Sequence, residues 1–479
     1  MSINDSENIE KSIKEANEFM AVAYESQKLL EEYEQPFIDR IVKAMVDAGY
    51  KNAEKLAYMA VEESNIGIAE DKVIKNIFAT KNLYEYIKDM KTAGIVSEDK
   101  QKGIVEIAAP MGVVVGLIPT TNPTSTVMYK AIIAIKSRNS IVFSPHPRSV
   151  RCCIEAARIM EEAAVSAGAP KGVITCLTNC TMKATDTLMQ HPKASVILAT
   201  GGSAMVKAAY SSGTPAFGVG PGNVPAFIEK SADITDAIDK IFMSKTFDNG
   251  TICASEQAVI AEASIYETVK AESVRKGGHF VEGAALKALE KTVIVEGGGV
   301  NPKVVGQSPK RIAEMAGISI PDGTRVLCAE LKGVGRDYPL SAEKLCPVLA
   351  FYSVDDWESG CKRCIELLNY GGVGHTMVIH SHNDTIIREF GLKKPVFRIL
   401  VNTPSSQGAI GYTTGLAPAL TLGCGTWGGS ITSDNVTPLH LINRKRIAYH
   451  QTDIRVEAPK TKAKFIYTLT EIQKAIENI

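Results

Sequence analysis

The fold is decided by the stretch VVVGLIPTTNPTSTVMYKAIIAIK, residues 113–136, which combines a strand, a rigid loop and a helix. The continuous apolar run Val113–Ile118 is typical of a parallel strand that is buried on both faces. Pro119–Pro123 (PTTNP) forms the loop, and a helix follows it through Lys136. This unit predicts a parallel sheet with helices packed against it.

The same alternation continues on both sides of this stretch. Strands are predicted at Ser140–Phe143, Val173–Cys176 and Ser195–Ala199, with helices at Val150–Ala167, Met182–Gln190 and Ala204–Ser211. A second block has strands at Ala258–Ala261, Thr292–Val295, Arg325–Cys328, Val348–Ser353, Thr376–Ile379 and Ile399–Asn402, and a helix at Asp356–Leu368. Upstream, helices are predicted at 6–48, 53–64 and 70–90, and a strand at Gly103–Ala109. The pattern predicts two α/β domains with ligands outside the carboxyl ends of the strands.

Composition narrows the classes of function. The 479 residues are 45% apolar, as in a folded globular protein of two or three domains, and the net charge is zero. The charge balance argues against binding nucleic acid or a membrane surface through bulk charge. No window of about 18 apolar residues and no signal peptide are present, so neither a membrane span nor export is expected. Ten cysteines then indicate free thiols in a reducing cytoplasm.

The segment Ser244–Ala258 (SKTFDNGTICASEQA) places Cys253 after a strong turn signal, Asn249-Gly250. An apolar helical run, Ile234–Met243, precedes it. A cysteine on such a turn is a candidate nucleophile. A buried cysteine that only fills space is the alternative.

Three other sites have both a functional and a structural interpretation. The turn Thr200-Gly201-Gly202-Ser203 opens a helix and lets a phosphate approach its N-terminus, although a plain turn fits as well. Asn122 follows the first apolar strand, where its amide can donate to an oxyanion or satisfy its own backbone. His375 follows a glycine run and is either a base near neutral pH or a structural histidine. The lone pair Cys361 and Cys364 lacks a second pair, so no metal site is predicted.

Several segments of the sequence resemble those of a known enzyme family. The segment FDNGTICASEQAVI around Cys253 resembles the nucleophile segment of the CoA-acylating aldehyde dehydrogenases, including the aldehyde dehydrogenase half of bifunctional aldehyde–alcohol dehydrogenases. The likeness runs from about residue 12 to about residue 450. Its other motifs are IPTTNPT (118–124), SPHPRS (144–149), ATGGSAMVKAAYSSG (199–213), GVGPGN (218–223), EKLCPV (343–348), GGVGHT (371–376) and TLGCGTWGG (421–429).

The resemblance implies the aldehyde dehydrogenase fold, with two Rossmann-like parallel-sheet domains and a small bridging β element. The implied NAD(P)- and CoA-binding domain is 1–243, with a bridging strand near 103–109. The catalytic domain is then 244–425, and 426–456 returns to the cofactor and oligomer region. Residues 457–479 are expected to form a linker (457–464) and an amphipathic helix. A homodimer or homotetramer is expected.

The resemblance also assigns roles. Cys253 is the nucleophile, and Asn122 with the Cys253 backbone N–H holds the oxyanion. Glu343 binds the nicotinamide ribose. The remaining expected cofactor contacts are Thr200, Gly201, Gly202, Ser203, Gly220, His146, Pro147 and Arg148. The implied reaction converts an aldehyde, NAD or NADP and coenzyme A into an acyl-CoA and NADH or NADPH.

A departure from the hydrolytic relatives carries information. Those enzymes have a water-activating glutamate in a loop upstream of the nucleophile, whereas the corresponding loop here, Phe217–Pro225, has no acid and the next is Glu229. The thioester is therefore expected to wait for CoA, with His375 assisting that step. His375→Ala is expected to slow acyl transfer more than hydride transfer.

The substrate and the C-terminal tail remain open. Residues 407–421 are small and polar and are expected to face a short, acetaldehyde-like substrate. An anionic aldehyde such as sulfoacetaldehyde or succinate semialdehyde is the alternative, and Arg398 and Lys394 lie nearby in sequence. The helix with Leu469, Ile472, Ile476 and Ile479 either docks on its own subunit or is a tag for a bacterial microcompartment. An inactive scaffold subunit is the alternative from another functional class.

Overall fold

The computed structural model describes residues 3–452 and 468–478. The predicted linker at 457–464 and Ile479 lie outside these residues. The helices are α1 (Ile3–Glu31), α2 (Gln35–Lys51), α3 (Ala53–Ser64), α4 (Ala69–Ile77), α5 (Leu83–Ile87), α6 (Pro123–Lys136), α7 (Val150–Ser166), α8 (Met182–Gln190), α9 (Ser203–Ser211), α10 (Ile234–Thr246), α11 (Ala263–Arg275), α12 (Gly283–Val293), α13 (Pro309–Ala316), α14 (Trp357–Gly371), α15 (Asp384–Lys393), α16 (Ser405–Ala409) and α17 (Leu469–Ile476).

The strands form three sheets. They are β1 (Gly94–Asp99), β2 (Ile104–Pro110), β3 (Val113–Ile118), β4 (Ser140–Pro145), β5 (Ile174–Cys176), β6 (Ala194–Thr200), β7 (Ala216–Val219), β8 (Val224–Ile228), β9 (Glu256–Glu262), β10 (Gly278–Phe280), β11 (Val326–Glu330), β12 (Val348–Val354), β13 (Gly374–His380), β14 (Val396–Val401) and β15 (Ile442–Ala448). A five-stranded parallel sheet has the order β5-β4-β3-β6-β7, and a seven-stranded parallel sheet has the order β10-β11-β12-β9-β8-β13-β14. This confirms the predicted fold class.

Helices cover both faces of the five-stranded sheet because β3 has no polar face. Val113, Val115 and Leu117 pack with residues of α1 and α8 in one apolar cluster. Val114 and Ile118 pack with residues of α2, α6 and α7 in another. The helical front end therefore lies across this sheet, as its apolar spacing indicates.

The small β element is an antiparallel sheet of order β1-β2-β15. Its central strand is β2, and Ile442 to Ala448 of β15 pair with Pro110 to Ile104. The chain thus returns after residue 426 to pair with a strand more than 330 residues earlier in sequence. The predicted bridging strand at 103–109 corresponds to β2. Its two partner strands, β1 and β15, were not predicted from the sequence.

Several predicted elements differ from the structure. The helix predicted at 6–48 is two helices, because Pro36 at the start of α2 cannot continue a preceding helix. The stretch 70–90 contains a π-helical turn at Phe78–Asn82 between α4 and α5. The strand predicted at Thr292–Val295 is wrong: its first half is the end of α12, and Ile294 forms only an isolated bridge with Val300, since a short apolar run fits a buried helix equally well.

The seven-stranded sheet draws on both sides of residue 243. Strand β8, Val224–Ile228, pairs with β9 and β13. The chain therefore enters the second sheet before the helix that leads to Cys253, about 20 residues earlier than the boundary at 243 and 244 implies. Sequence reasoning missed β8 because its glycine-rich approach masked a short apolar run.

Candidate active site

The carboxyl ends of four parallel strands meet at one cavity of about 520 Å³. Ile118, Pro145, Thr200 and Val219 end β3, β4, β6 and β7, and all four line it. This is where a parallel α/β sheet is expected to bind its ligand. Of the predicted site residues, the cavity is lined by Asn122, His146, Pro147, Thr200, Gly201, Gly202, Gly220, Cys253 and Glu343.

Cys253 follows a sharp reversal of the backbone. Helix α10 ends at Thr246, and Asp248 and Asn249 both have left-handed conformations, with φ of 50° and 53°. Asp and Asn tolerate this region better than other residues with a side chain. The turn exposes Cys253 partly at the cavity edge before β9 begins.

His375 contacts the thiol. The Nε2 atom of His375 lies 3.2 Å from Cys253 Sγ, and its Nδ1 lies 2.9 Å from the hydroxyl of Thr376. The preceding residue must be glycine: Gly374 has φ of +79°, and a Cβ there would lie 1.9 Å from the carbonyl oxygen of Cys424. The glycine run thus allows the His375 imidazole to contact the Cys253 sulfur, although His375 itself does not line the cavity.

Electrostatics keep this pair neutral at rest. Burial raises the pKa of Cys253 to about 12, and the negative charge of Glu343 acts in the same direction. Burial and then the cation of Arg398 lower the pKa of His375 to about 3. The neutral imidazole can therefore accept the thiol proton when the sulfur attacks, with Nδ1–H donating to Thr376 in that tautomer.

The amide of Asn122 is held in one orientation. Lys75 Nζ donates to its Oδ1 at 2.6 Å, and its Nδ2 donates to the Thr121 hydroxyl at 3.1 Å. Nδ2 carries two hydrogens, so one N–H remains for the cavity. Lys75 was not marked by any sequence pattern.

The nucleotide side of the cavity fits a pyrophosphate. Thr200 Oγ1 is buried and has no hydrogen-bond partner among the described residues. Gly202 is the N-cap of α9 and gives no side-chain cap, so the first backbone N–H groups of the helix are open to an anion. Gly201 and Gly202 keep this end accessible. The side chain of Ser203 lies outside what the structure describes.

The side chains of His146 and Arg148 in the SPHPRS loop point to different places. His146 lines the cavity and its Nδ1 accepts from the backbone N–H of Arg148. The Arg148 guanidinium donates to the carbonyl of Ser64 at 2.8 Å and does not line the cavity. The expected contact of Arg148 with a cofactor is therefore not supported by its position.

Glu343 lies on the cavity wall beside the nucleophile loop. Its Oε1 accepts from the backbone N–H of Gly222 at 2.9 Å, and burial raises its pKa to about 7. Gly222 needs to be glycine, because a Cβ there would lie 2.0 Å from the Cys253 carbonyl oxygen. The contact ties the GVGPGN loop to both Glu343 and Cys253.

The acid-free loop faces the site. Val219, Gly220 and Pro221 line the cavity, and Glu343 is the only carboxylate among its described lining residues. Glu229 is buried elsewhere, where Ser231 and Ser381 donate to it. This loop therefore has no carboxylate that could act as a general base on a water molecule.

The lining includes residues that sequence reasoning missed: Thr181, Met182, Thr185, Met205, Val305 and Leu345. Leu345, two residues after Glu343, is the one with an unusual backbone, φ of 47°. Residues 407–421, expected to face the substrate, do not line this cavity. Arg398 is buried and donates to the carbonyls of His375 and Gly423.

The described residues contain no group of three or more His, Cys, Asp or Glu side chains that could bind a metal. Cys361 and Cys364 are buried in α14. Across residues 3–452 and 468–478, no helix has the length and apolar content needed to cross a bilayer.

Known proteins of similar sequence identify the family of this chain. Residues 7–289 match the aldehyde dehydrogenase family. The bifunctional aldehyde-alcohol dehydrogenase AdhE of Escherichia coli K12 is 45% identical over 442 residues, which cover 91% of this chain and 50% of that protein. This chain therefore spans about half the length of the bifunctional relatives. The succinate-semialdehyde dehydrogenase (acetylating) of Clostridium kluyveri is 40% identical over 93% of this chain and 98% of its own length.

Solved structures of aldehyde dehydrogenases have the same fold as this chain. An acetylating aldehyde dehydrogenase from Geobacillus thermoglucosidasius is 50% identical, with a TM-score of 0.92 over 93% of this chain and 98% of that one. A Rhodopseudomonas palustris propionaldehyde dehydrogenase, described with bound CoA and an acylated cysteine, is 26% identical, with a TM-score of 0.81 over 91% and 97% of the two chains. The sheets, the motifs and these matches together establish that this chain belongs to the aldehyde dehydrogenase family and that acylating members are among its relatives.

Proposed function

We propose that this chain interconverts a short aldehyde and its acyl-CoA, using NAD or NADP and coenzyme A, through a thioester on Cys253. One observation carries the proposal. Cys253 Sγ contacts His375 Nε2 at the edge of a cavity whose glycine loop supplies no carboxylate. Cys253 supplies a nucleophile and His375 a base, and the loop that corresponds to the water-activating loop of hydrolytic relatives contains no acid.

The chain supplies each proton and charge contact of the first step. His375 Nε2 accepts the Cys253 proton as the sulfur bonds to the aldehyde carbon. The aldehyde oxygen becomes an oxyanion, which the Asn122 amide and the Cys253 backbone N–H stabilise. Expulsion of the hydride then leaves an acyl group on the sulfur.

Thr200, Gly201, Gly202, Gly220 and Glu343 would hold the nucleotide, whose chemistry is to accept that hydride. Glu343 positions the ribose as a carboxylate, and its pKa of about 7 makes this hydrogen bonding weaker below neutral pH.

Acyl transfer reuses the same imidazole. The imidazolium formed in the first half releases its proton to solvent. The thiol of CoA then gives its proton to His375 Nε2 and attacks the thioester carbon, and Cys253 leaves and recovers a proton from the imidazolium. His375 therefore acts in both halves of the reaction. This extends the expectation from sequence, which gave it a role in acyl transfer alone.

The lining charges favour a neutral substrate. No lysine or arginine occurs among the described residues that line the cavity. An acetaldehyde-like substrate therefore fits better than sulfoacetaldehyde or succinate semialdehyde, whose anionic groups need a cation. The same lack of a cation favours NAD over NADP, because a 2′-phosphate is usually met by an arginine.

The test is NADH formation with acetaldehyde, propionaldehyde, sulfoacetaldehyde and succinate semialdehyde, each with and without CoA. The proposal expects sustained NADH formation only with CoA, and fastest with a neutral aldehyde. Sustained NADH and free acid without CoA would instead identify a hydrolytic enzyme. No NADH with any aldehyde would favour a scaffold subunit, although the grouping of Cys253, His375, Asn122 and Glu343 argues against one.

We propose a homodimer or homotetramer on the basis of two exposed strands; the cytoplasmic location stays a prediction from the sequence. Most of β15 is exposed, and β14 ends the seven-stranded sheet with Phe397 and Val401 exposed. Sheet edges without a partner strand among residues 3–452 and 468–478 are usually covered by another part of the assembly. Mass measurement by light scattering tests the oligomer.

The C-terminal helix is proposed to bind outside its own subunit. Every residue of 468–478 is exposed, including Leu469 and Ile476, so the expected docking on its own subunit is not seen. The exposed apolar stripe therefore favours the alternative role as a microcompartment tag. Deleting 460–479 should leave oligomer mass and activity unchanged and abolish encapsulation.

A further inference from the structure

A buried cluster of polar and charged side chains lies beside the cavity and contacts the Asn122 amide. It consists of Lys72 and Lys75 on α4 and of Asp248 and Thr251 on the turn before Cys253. Lys72, Lys75 and Asp248 are each at most 3% exposed at the side chain. None of the four is explained by the reaction steps above, and burying three charges costs stability unless each is satisfied.

Lys75 is the centre of this cluster. Its Nζ donates to Asp248 Oδ2 at 2.5 Å, to Thr251 Oγ1 at 2.9 Å and to Asn122 Oδ1 at 2.6 Å. These are all three of its donors, and none is left for another partner. Lys75 itself does not line the cavity.

The contact with Asn122 has a consequence for the amide. An asparagine amide can turn by 180° at little steric cost, which exchanges its oxygen for its NH₂ group. Burial lowers the pKa of Lys75 to about 8, so at neutral pH its side chain is an ammonium, which can only donate. Lys75 therefore selects the orientation in which Oδ1 faces the lysine and Nδ2 faces away. The reverse orientation would present an oxygen to a developing oxyanion and repel it.

The cluster also fixes the distance between the amide and the thiol. Asp248 and Thr251 are five and two residues before Cys253, and both bond to the nitrogen that holds Asn122. Asp248 is anchored in turn by Lys72 and by the backbone N–H of Ile68. One side chain thus links the loop after β3 to the nucleophile turn.

We infer that Lys75 is a positioning residue, which orients the Asn122 amide toward the oxyanion and holds it in register with Cys253. The inference rests on the proposed function, since it concerns the oxyanion of that reaction. Lys75 does not line the cavity, so in this inference it acts through Asn122 and not on the substrate or cofactor directly.

Lys72 offers a matched control. Its Nζ donates to the same Asp248 Oδ2, at 2.8 Å, but its other contact is the carbonyl of Thr121 and not the Asn122 amide. Lys72→Met and Lys75→Met therefore each leave Asp248 with one lysine, and only Lys75→Met releases Asn122.

The experiment is a double-mutant cycle of Lys75→Met with Asn122→Ala, read as the rate of the first NADH burst at saturating aldehyde and nucleotide. Lys75→Met should lower the burst rate about 10- to 100-fold, since one oxyanion donor is worth about 10²- to 10³-fold in kcat. The KM for nucleotide should change less than about threefold, because the ribose and phosphate contacts remain. Lys72→Met should lower the burst rate less than about threefold.

The double variant, Lys75→Met with Asn122→Ala, decides whether Lys75 acts through Asn122. If Lys75 acts through Asn122, Lys75→Met adds less than about a twofold loss in the Asn122→Ala background. A loss there as large as in the wild type would show that Lys75 is only structural and overturn the inference. Should Lys75→Met fail to fold, Lys75→Gln takes its place, because a glutamine can donate or accept and no longer selects one orientation. If the wild-type chain gives no NADH burst, the proposed function fails; if only the cycle is additive, the inference alone fails.

Discussion

Among the described residues, two cysteines have a basic nitrogen at contact distance, yet only one is placed to react. Cys253 Sγ lies 3.2 Å from His375 Nε2 at the wall of the cavity. Cys361 Sγ contacts Lys394 Nζ, but both side chains are buried, and Lys394 lies over the ring of Phe390. Neither of them lines the cavity.

The difference shows that a base beside a thiol does not make a nucleophile. Cys253 also has a turn that brings it to the cavity, an amide across from it and a route for a substrate. Cys361 has only its lysine, within the apolar packing of α14. Access to the cavity, and not thiol chemistry, separates the two.

The largest expected effect comes from replacing each sulfur in turn. Cys253→Ser should lower CoA-dependent NADH formation by about 10⁴-fold or more, because a hydroxyl is a far weaker nucleophile here. Cys361→Ser should stay within about twofold of the wild type in kcat and lose only stability. Steady-state assays and thermal melts measure both. Turnover by Cys253→Ser above about a tenth of the wild type would remove the distinction.

The second-largest effect is expected from replacing His375, and His380 on the same strand serves as the control. His375→Ala should slow the NADH burst and the CoA-dependent step, each by about 10²- to 10³-fold, because the thiol proton loses its acceptor. His380 is also buried on β13, and burial lowers its pKa to about 4, but it does not line the cavity that Cys253 lines. His380→Gln should leave the burst rate within about threefold.

Rapid-mixing kinetics on the two histidine variants separate the steps. A normal burst in His375→Ala with slowed acyl transfer would restrict the imidazole to the second half of the reaction. Equal, wild-type rates in both steps would exclude it from the chemistry.

The pH dependence of alkylation sharpens the comparison further. Because the pKa of Cys253 is raised to about 12, its thiolate fraction at neutral pH is small and grows with pH. Iodoacetamide labelling of Cys253 should therefore rise about tenfold per pH unit between pH 7 and 9. Cys361 should stay unlabelled in the folded protein. Peptide mass spectrometry follows both sites, and a plateau near pH 8.5 would show an unperturbed thiol.

The smallest expected effect is electrostatic. Glu343 adds to the raised pKa of Cys253, so Glu343→Gln should speed alkylation of Cys253 about threefold at pH 8. It should also raise the KM for nucleotide about tenfold through the lost ribose contact. Labelling of Cys361 should not change. Slower alkylation in this variant would reverse the assigned sign of the Glu343 charge.

Sequence patterns predicted the parts of the site that are local. The Asn249-Gly250 turn, the strand ending at Ile118 and the glycine turn after β6 can each be recognised from a few neighbouring residues. The cavity gathers Asn122, Thr200 and Cys253 from those segments because parallel strands end at one edge.

The missing parts depend on contacts between distant segments. Lys75 resembles any polar residue of an amphipathic helix, and only the fold brings it to Asp248, more than 170 residues away. The same holds for Arg148, which looks like a cofactor ligand in its motif but pairs with the carbonyl of Ser64. Strand β15 could not be recognised because six of its seven residues are exposed, which leaves no alternation to read.

The most direct test is the intact mass of the wild-type chain after mixing with aldehyde and NAD in the absence of CoA. The account predicts one acyl group per chain, located on Cys253, that persists until CoA is added and then appears as acyl-CoA. A chain that carries no acyl group while NADH and free acid accumulate would contradict it.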